Sequence, residues 1–356
     1  MFRVKESEID ELIKSFRIRV DLTEKVLDRK ALKVYKVKTS NKGLEAFLID
    51  SPEARAIACL PHIVSRPFEY LNMVLARRAS EVVAGVVKNL ELKPIFLHVL
   101  RAAPGYKLHE ALRRKGLTFT EIHIRPKYQS YSFRDHVERR ITVVYKNFEE
   151  LPRGENVVLI KPDTEATGLT GEKVLEEIYR EALKRSTSIE ALVLYGFISE
   201  KGLQRLYRKT QELNIRKVYA FILVNLTSLA FNNYDMVLYG LDESRFSAKG
   251  ERAHLGSVID RETFEKCVAY YMPGMDQPGD WSARQDKLFN GENYERGNIR
   301  GHLSNSLTLA KRLYEISRRE PWFKPWHKEV FLRGITSLQK VLEIWTCQAT
   351  HRIGSS

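Results

Sequence analysis

The chain has 356 residues, of which 43% are hydrophobic, and its 59 Lys and Arg against 45 Asp and Glu give a formal charge of +14 at pH 7. That is enough apolar material for a buried core in one large domain or two ordinary ones. The mixed-sign charges of the first 30 residues exclude a secretory signal or a transit peptide, and the longest apolar run, 218–231, is broken by Asn225, Thr227 and Ser228 and falls short of the ~20 residues of a membrane span, so a soluble, cytoplasmic chain without membrane contact is expected.

In chain order, residues 1–56 read as an N-terminal extension with a helix over 6–18 and strands over 31–38 and 44–49. Strands are then predicted over 57–60, 94–100, 120–124, 141–145, 157–160, 191–197 and 218–224. Amphipathic helices are predicted over 70–90, 106–115, 171–184 and 200–213. Alternation of this kind predicts an α/β domain over 57–293, with a mostly parallel sheet flanked by helices. Residues 294–356 read as a basic helical extension, two helices around Pro321-Trp322-Phe323-Lys324-Pro325-Trp326, with no internal repeat or low-complexity linker anywhere.

Three widely spaced cysteines, Cys59, Cys267 and Cys347, offer neither a disulfide framework nor a paired metal motif. The nine histidines show no ligand spacing, and His98, set in an apolar strand, reads as a core histidine. No metal held by the protein alone is expected.

The most informative stretch is 157–178. An apolar strand from Val157 to Ile160 runs into Lys161-Pro162-Asp163-Thr164-Glu165-Ala166-Thr167-Gly168-Leu169-Thr170-Gly171 and then into a helix. Threonine hydroxyls and unhindered glycine amides at a helix start form an anion cradle, because the first amides have no partner within the helix and the macrodipole adds about half a positive charge there. An ordinary capped turn would use the same residues. The spacing is not that of a nucleotide P-loop.

Asp163 followed by Ala166-Thr167-Gly168-Leu169-Thr170 resembles the phosphoribosyl-pyrophosphate loop of the type I phosphoribosyltransferases. Three more segments, in the same order, resemble the uracil branch of that family. Leu100-Arg101-Ala102-Ala103-Pro104-Gly105 looks like its Leu-Arg-Ala-Gly-x-Gly turn. Residues 124–126 through 145–152 look like its flexible loop and return strand. Tyr270-Tyr271-Met272-Pro273-Gly274-Met275-Asp276-Gln277-Pro278-Gly279-Asp280 resembles its base-recognition segment, preceded by Leu241-Asp242-Glu243. The chain departs from the family at Pro162, where a first acid is usual, and at Asp276-Gln277-Pro278, where Gly-Asp-Ala is usual.

The resemblance implies a type I phosphoribosyltransferase-like sheet with N- and C-terminal extensions. It also implies transfer of phosphoribosyl from phosphoribosyl pyrophosphate to uracil or a related base, magnesium entering with the pyrophosphate substrate, and assembly as a homodimer or higher homo-oligomer. In that scheme Arg101 and Arg125 face the leaving group and Asp163 holds the ribose hydroxyls. Ala166, Thr167, Gly168, Leu169 and Thr170 bind the 5′-phosphate, while Tyr271, Met272 and Gly274, with Asp276, Gln277 or Asp280, read the base.

A second reading is a phosphoribosyltransferase-fold protein with altered catalysis that binds RNA, DNA or a protein partner. Residues 295–356 carry 11 Lys or Arg against 5 Glu, with Trp322, Phe323 and Trp326 among them, and Tyr128, Tyr131 and Phe133 lie among the ten cations of 113–153. Basic residues interleaved with aromatics can serve single-stranded nucleic acid, but aromatics around a Pro-x-x-x-Pro turn more often pack two helices together.

Overall fold

The computed structural model of the chain describes residues 4–129, 140–245, 247 and 252–353. Helix α1 (Glu6–Ser15) precedes three antiparallel strands, β1 (Thr23–Arg29), β2 (Leu32–Val37) and β3 (Leu44–Asp50). Next come α2 (Pro52–Cys59), α3 (Ser65–Asn89), β4 (Lys93–Val99), a 3-10 turn (Ala103–Tyr106), α4 (Leu108–Arg114), β5 (Thr120–Gln129) and β6 (Arg140–Asn147). They are followed by β7 (Asn156–Pro162), α5 (Leu169–Lys184), β8 (Ser188–Gly196), α6 (Glu200–Glu212) and β9 (Lys217–Leu223). Two short ladders follow, β10 (Ser228–Leu229) with β11 (Met236–Val237) and β12 (Gly240–Leu241) with β13 (Ala253–His254). Helix α7 (Arg261–Val268), the hairpin β14 (Leu288–Phe289) and β15 (Tyr294–Glu295), α8 (Ile299–Ser317) and α9 (Pro325–Ile353) complete the chain.

Nine strands form one sheet in the order β1-β2-β3-β9-β8-β7-β4-β5-β6, parallel from β3 to β5 and antiparallel at both ends. The expected α/β class and mostly parallel sheet are therefore present, and residues 23–50 extend that same sheet. Because side chains alternate along a strand, Phe96, Val158 and Ile160 pack toward α1–α4 and α7–α9, while Ile95, Leu97, Val157 and Leu159 pack toward α5 and α6.

One predicted strand is wrong: 57–60 is the end of helix α2. Ser51 accepts the Ala54 amide as an N-cap, Pro52 opens the first turn and Glu53 favours the positive end of the dipole. Ala54, Ile57 and Ala58 then recur at helical spacing on the buried face, so the local apolar run was read with the wrong period. Strand β1 went unpredicted because its side chains are mostly exposed and show little apolar alternation. The predicted loop residues Tyr131 and Phe133 lie outside the described residues. None of the described helices is long and apolar enough to cross a membrane.

Candidate active site

A cavity of about 390 Å³ opens at the carboxyl ends of β4, β5 and β7, the edge at which ligands bind in open α/β sheets. Its wall draws Arg101 from the turn after β4, Arg125 from β5, Asp163, Ala166, Thr167 and Gly168 from the loop between β7 and α5, and Thr170 from the first turn of α5. Asp276 comes from the segment after α7.

The β7–α5 loop is built on a buried charge cluster. The Lys161 side chain is inaccessible to solvent, and its ammonium donates to Asp163 Oδ2 at 3.0 Å and to Glu165. Burial works to lower the Lys161 ammonium, but the Asp163 and Glu165 carboxylates outweigh it and hold it above the usual lysine range. Burial likewise pushes the Glu165 carboxyl up, to about 7, against the pull of Lys161. Asp163 Oδ1 accepts the Thr164 amide at 2.9 Å, so both carboxylate oxygens are oriented. Gly168 has φ +75°, and a Cβ there would also stand 2.9 Å from the Gly202 carbonyl oxygen. At Gly171 a Cβ would stand 2.7 Å from Glu165 Oε1, which is why the helix can start directly over that carboxylate. The Thr167 hydroxyl accepts the Leu169 amide at 3.3 Å, and the Thr170 hydroxyl pairs with Tyr128.

Asp276 is buried and accepts the Met236 amide at 2.7 Å, fixing the outer wall. That wall is clamped from behind by Arg284, whose inaccessible guanidinium donates to the carbonyls of Ile57, Leu60, Ile63 and Pro278 at 3.0–3.3 Å and lies over the Phe68 ring. Trp281 stacks on Tyr106 with centroids 4.1 Å apart. Asp280 caps a turn through the Ala283 amide and lines an adjoining cavity of about 300 Å³ with Arg101 and His302.

Six of the predicted residues do not line the cavity of about 390 Å³, Asp280 of the adjoining cavity being one of them. Tyr271 is inaccessible; its hydroxyl donates to the Met275 carbonyl and accepts the Leu238 amide. Met272 packs beneath Gly334 of α9, and the Gly274 amide donates to Tyr239 O at 2.8 Å. Leu169 is partly buried at the start of α5. Gln277 is 1% exposed, with neither side-chain amide atom paired. Tyr271, Met272, Gly274 and Gln277 carry the base segment into the core, where apolar burial and satisfied backbone groups hold them.

The cavity also takes Lys127, Tyr128, Thr164, Asn233, Tyr234, Trp281 and Ser282, which sequence reasoning missed. Only Tyr128 had a local signal, as an aromatic among cations. A carboxylate that went unnoticed, Glu295 on β15, bonds Arg101 and stands 3.5 Å from Arg125.

Magnesium carried by pyrophosphate oxygens needs only one or two protein carboxylates. Of the three acids at the wall, Glu165 is buried against Lys161, which leaves Asp163 and Asp276 as the carboxylates that would meet such an ion, and among the described residues no group of three or more His, Cys, Asp or Glu is arranged to hold a metal.

In the C-terminal extension, Trp322 and Trp326 are each 8% exposed. Trp322 meets Phe16 edge-on at 5.2 Å and Trp326 stacks on His327 at 3.5 Å, so neither ring offers a free face to a base.

No family model and no curated protein matches the chain. Among solved structures, it is similar to adenine phosphoribosyl transferase from Trypanosoma brucei in complex with AMP, pyrophosphate and ribose-5-phosphate. Identity there is 16% over 50% of this chain and 82% of that one, with a TM-score of 0.33. It is also similar to hypoxanthine-guanine phosphoribosyl transferase from L. donovani (12%, 45% and 82%, TM-score 0.28) and to a hypoxanthine phosphoribosyltransferase from Staphylococcus aureus (10%, 46% and 77%, TM-score 0.28).

Proposed function

We propose that the chain transfers a phosphoribosyl group from phosphoribosyl pyrophosphate to a nucleobase, uracil or a related base, releasing a nucleoside monophosphate and pyrophosphate. One observation carries this reading: Arg101, Arg125, the Asp163–Thr170 loop and Asp276, from four separate stretches of sequence, meet in a single cavity. The reaction asks little covalent chemistry of the protein. Departure of pyrophosphate leaves an oxocarbenium-like ribose, so the site must neutralise the leaving group, anchor the 5′-phosphate and hold the base nitrogen at the anomeric carbon.

Arg101 and Arg125 supply the two cations for the leaving group. The amides and hydroxyls of Thr167, Gly168 and Thr170 at the start of α5 supply the phosphate anchor. Asp163, oriented by Lys161 and the Thr164 amide, accepts hydrogen bonds from the ribose hydroxyls. Magnesium, when it enters with the substrate, adds charge neutralisation. The base then lies against the wall formed by Asp276, Pro278 and Trp281, and a homodimer or higher homo-oligomer is the assembly this reading carries with it.

The test is incubation of the purified chain with labelled phosphoribosyl pyrophosphate and a panel of pyrimidine and purine bases. Formation of a labelled nucleotide with one base class is expected. Binding of the donor with no turnover on any base would leave a binding protein in place of the enzyme.

A further inference from the structure

The hairpin from β14 to β15 lies over the arginine side of the cavity. Its turn is tied by Asn290, whose Oδ1 accepts the Glu292 and Asn293 amides at 2.9 and 2.8 Å. The turn seats on β6 so closely that a Cβ at Gly291 would stand 2.6 Å from the Tyr145 ring. Arg125 donates to the Asn290 carbonyl at 3.3 Å. The hairpin thus delivers one carboxylate, Glu295, between two guanidiniums, one from the turn after β4 and one from β5: it bonds Arg101, lies 3.5 Å from Arg125 and accepts Asn290 Nδ2 at 2.5 Å. Asn290 first, and then Arg101, hold the Glu295 carboxyl below its usual range. Its side chain is 34% exposed, so this is a displaceable contact and not a core ion pair.

We propose that Glu295 is an internal occupant of the leaving-group site and a specificity determinant for polyanions. The inference rests on Arg101 and Arg125 being the leaving-group cations. Two guanidiniums against one carboxylate leave a net positive site. A ligand must therefore offer more charge than Glu295 to take both arginines from it. Pyrophosphate does so; orthophosphate or a simple carboxylate gains much less. The carboxylate thereby keeps the arginine pair apart from abundant small anions and orients both side chains toward the position where charge develops.

The experiment is calorimetric titration of the full chain with inorganic pyrophosphate and with inorganic phosphate at fixed pH and ionic strength. The wild type is compared with Glu295→Gln, Glu295→Asp and Arg101→Ala, each checked for an unchanged thermal unfolding profile. Removing the competing charge in Glu295→Gln should tighten pyrophosphate by about tenfold and phosphate by more than that, so that discrimination between the two narrows. Glu295→Asp, which withdraws the same charge by one methylene, should fall between. Wild-type pyrophosphate binding that is lost in Arg101→Ala but unchanged or weakened in Glu295→Gln would overturn the role of Glu295 while leaving the arginine site standing. Absence of pyrophosphate binding in the wild type and in Glu295→Gln would overturn both.

Discussion

His302 ties the first turn of α8 to the loop before α3, and its protonation should be one of the events that set the acid limit of the fold. The ring is 5% exposed, its Nε2 donates to the Pro61 carbonyl at 2.8 Å, and a Cβ at Gly279 would stand 2.7 Å from its Cε1. Burial, and then the Arg284 cation, pull its pKa down to about 3 from the usual 6.5. A histidine whose folded pKa is depressed adds stability that is complete above its unfolded pKa and is lost as pH falls from there toward the folded value. The window here is pH 6.5 down to about 3. At 1.36 kcal/mol per unit, the loss at pH 5 is about 2 kcal/mol. His327, inaccessible and lowered to about 3 by burial and Lys324, adds a similar amount.

His302→Gln keeps a donor for Pro61 and removes the titration, so the stability difference between about pH 7.5 and pH 5 should shrink by about 2 kcal/mol in denaturant unfolding. A variant whose pH difference matches the wild type would refute the assignment of His302 as a buried neutral group. The consequence would reach the site, because His302 also lines the cavity next to Arg101 and Asp280.

Three further outcomes are expected. Asp163→Asn and Thr167→Val should each weaken phosphoribosyl pyrophosphate by roughly tenfold to a hundredfold, the worth of one charge-assisted hydrogen bond; Thr167→Val should leave the unfolding midpoint nearly unchanged, whereas Asp163→Asn also takes a carboxylate from buried Lys161 and should lower it; wild-type titration curves for both would remove the loop from the site. Lys161→Met strips the shared cation from Asp163 and Glu165, leaving two acids where one pair was balanced. It should cost about 3 kcal/mol or more at neutral pH and less in acid, where Glu165 is protonated, and an equal loss at both pH values would contradict the coupling. Deleting the residues after Asn293 removes α8 and α9 and bares the partners of Leu303, Leu313, Trp322 and Phe331, so aggregation or a lowered melting point is expected. A stable, soluble truncation that had lost only binding to single-stranded RNA or DNA would instead assign the extension to nucleic acid.

The strand, turn and helix of the 157–178 stretch were legible in the residues alone, because an apolar run, a Thr-Gly turn and a 3.6-residue period are local properties set by backbone sterics and capping. The same holds for most central strands. What the residues alone left undetermined was every feature that depends on partners distant in sequence. Residues 57–60 are the exception, misread for a local reason: apolar character hid the helical period that the Ser51 cap and Pro52 set a few residues upstream. The base segment matched a pattern around Tyr271 and Gly274, yet burial against α8 and α9 turned those residues inward. Nothing in the residues marked Lys161 and Glu165 as partners of Asp163 until burial at the end of β7 drew the three together, and nothing local distinguished Glu295 from other surface acids. Its meaning depends on two arginines 194 and 170 residues away, brought within reach by the sheet order and the hairpin. Electrostatic roles are relations between charges in a low-dielectric setting, and the chain has that setting only once it is folded.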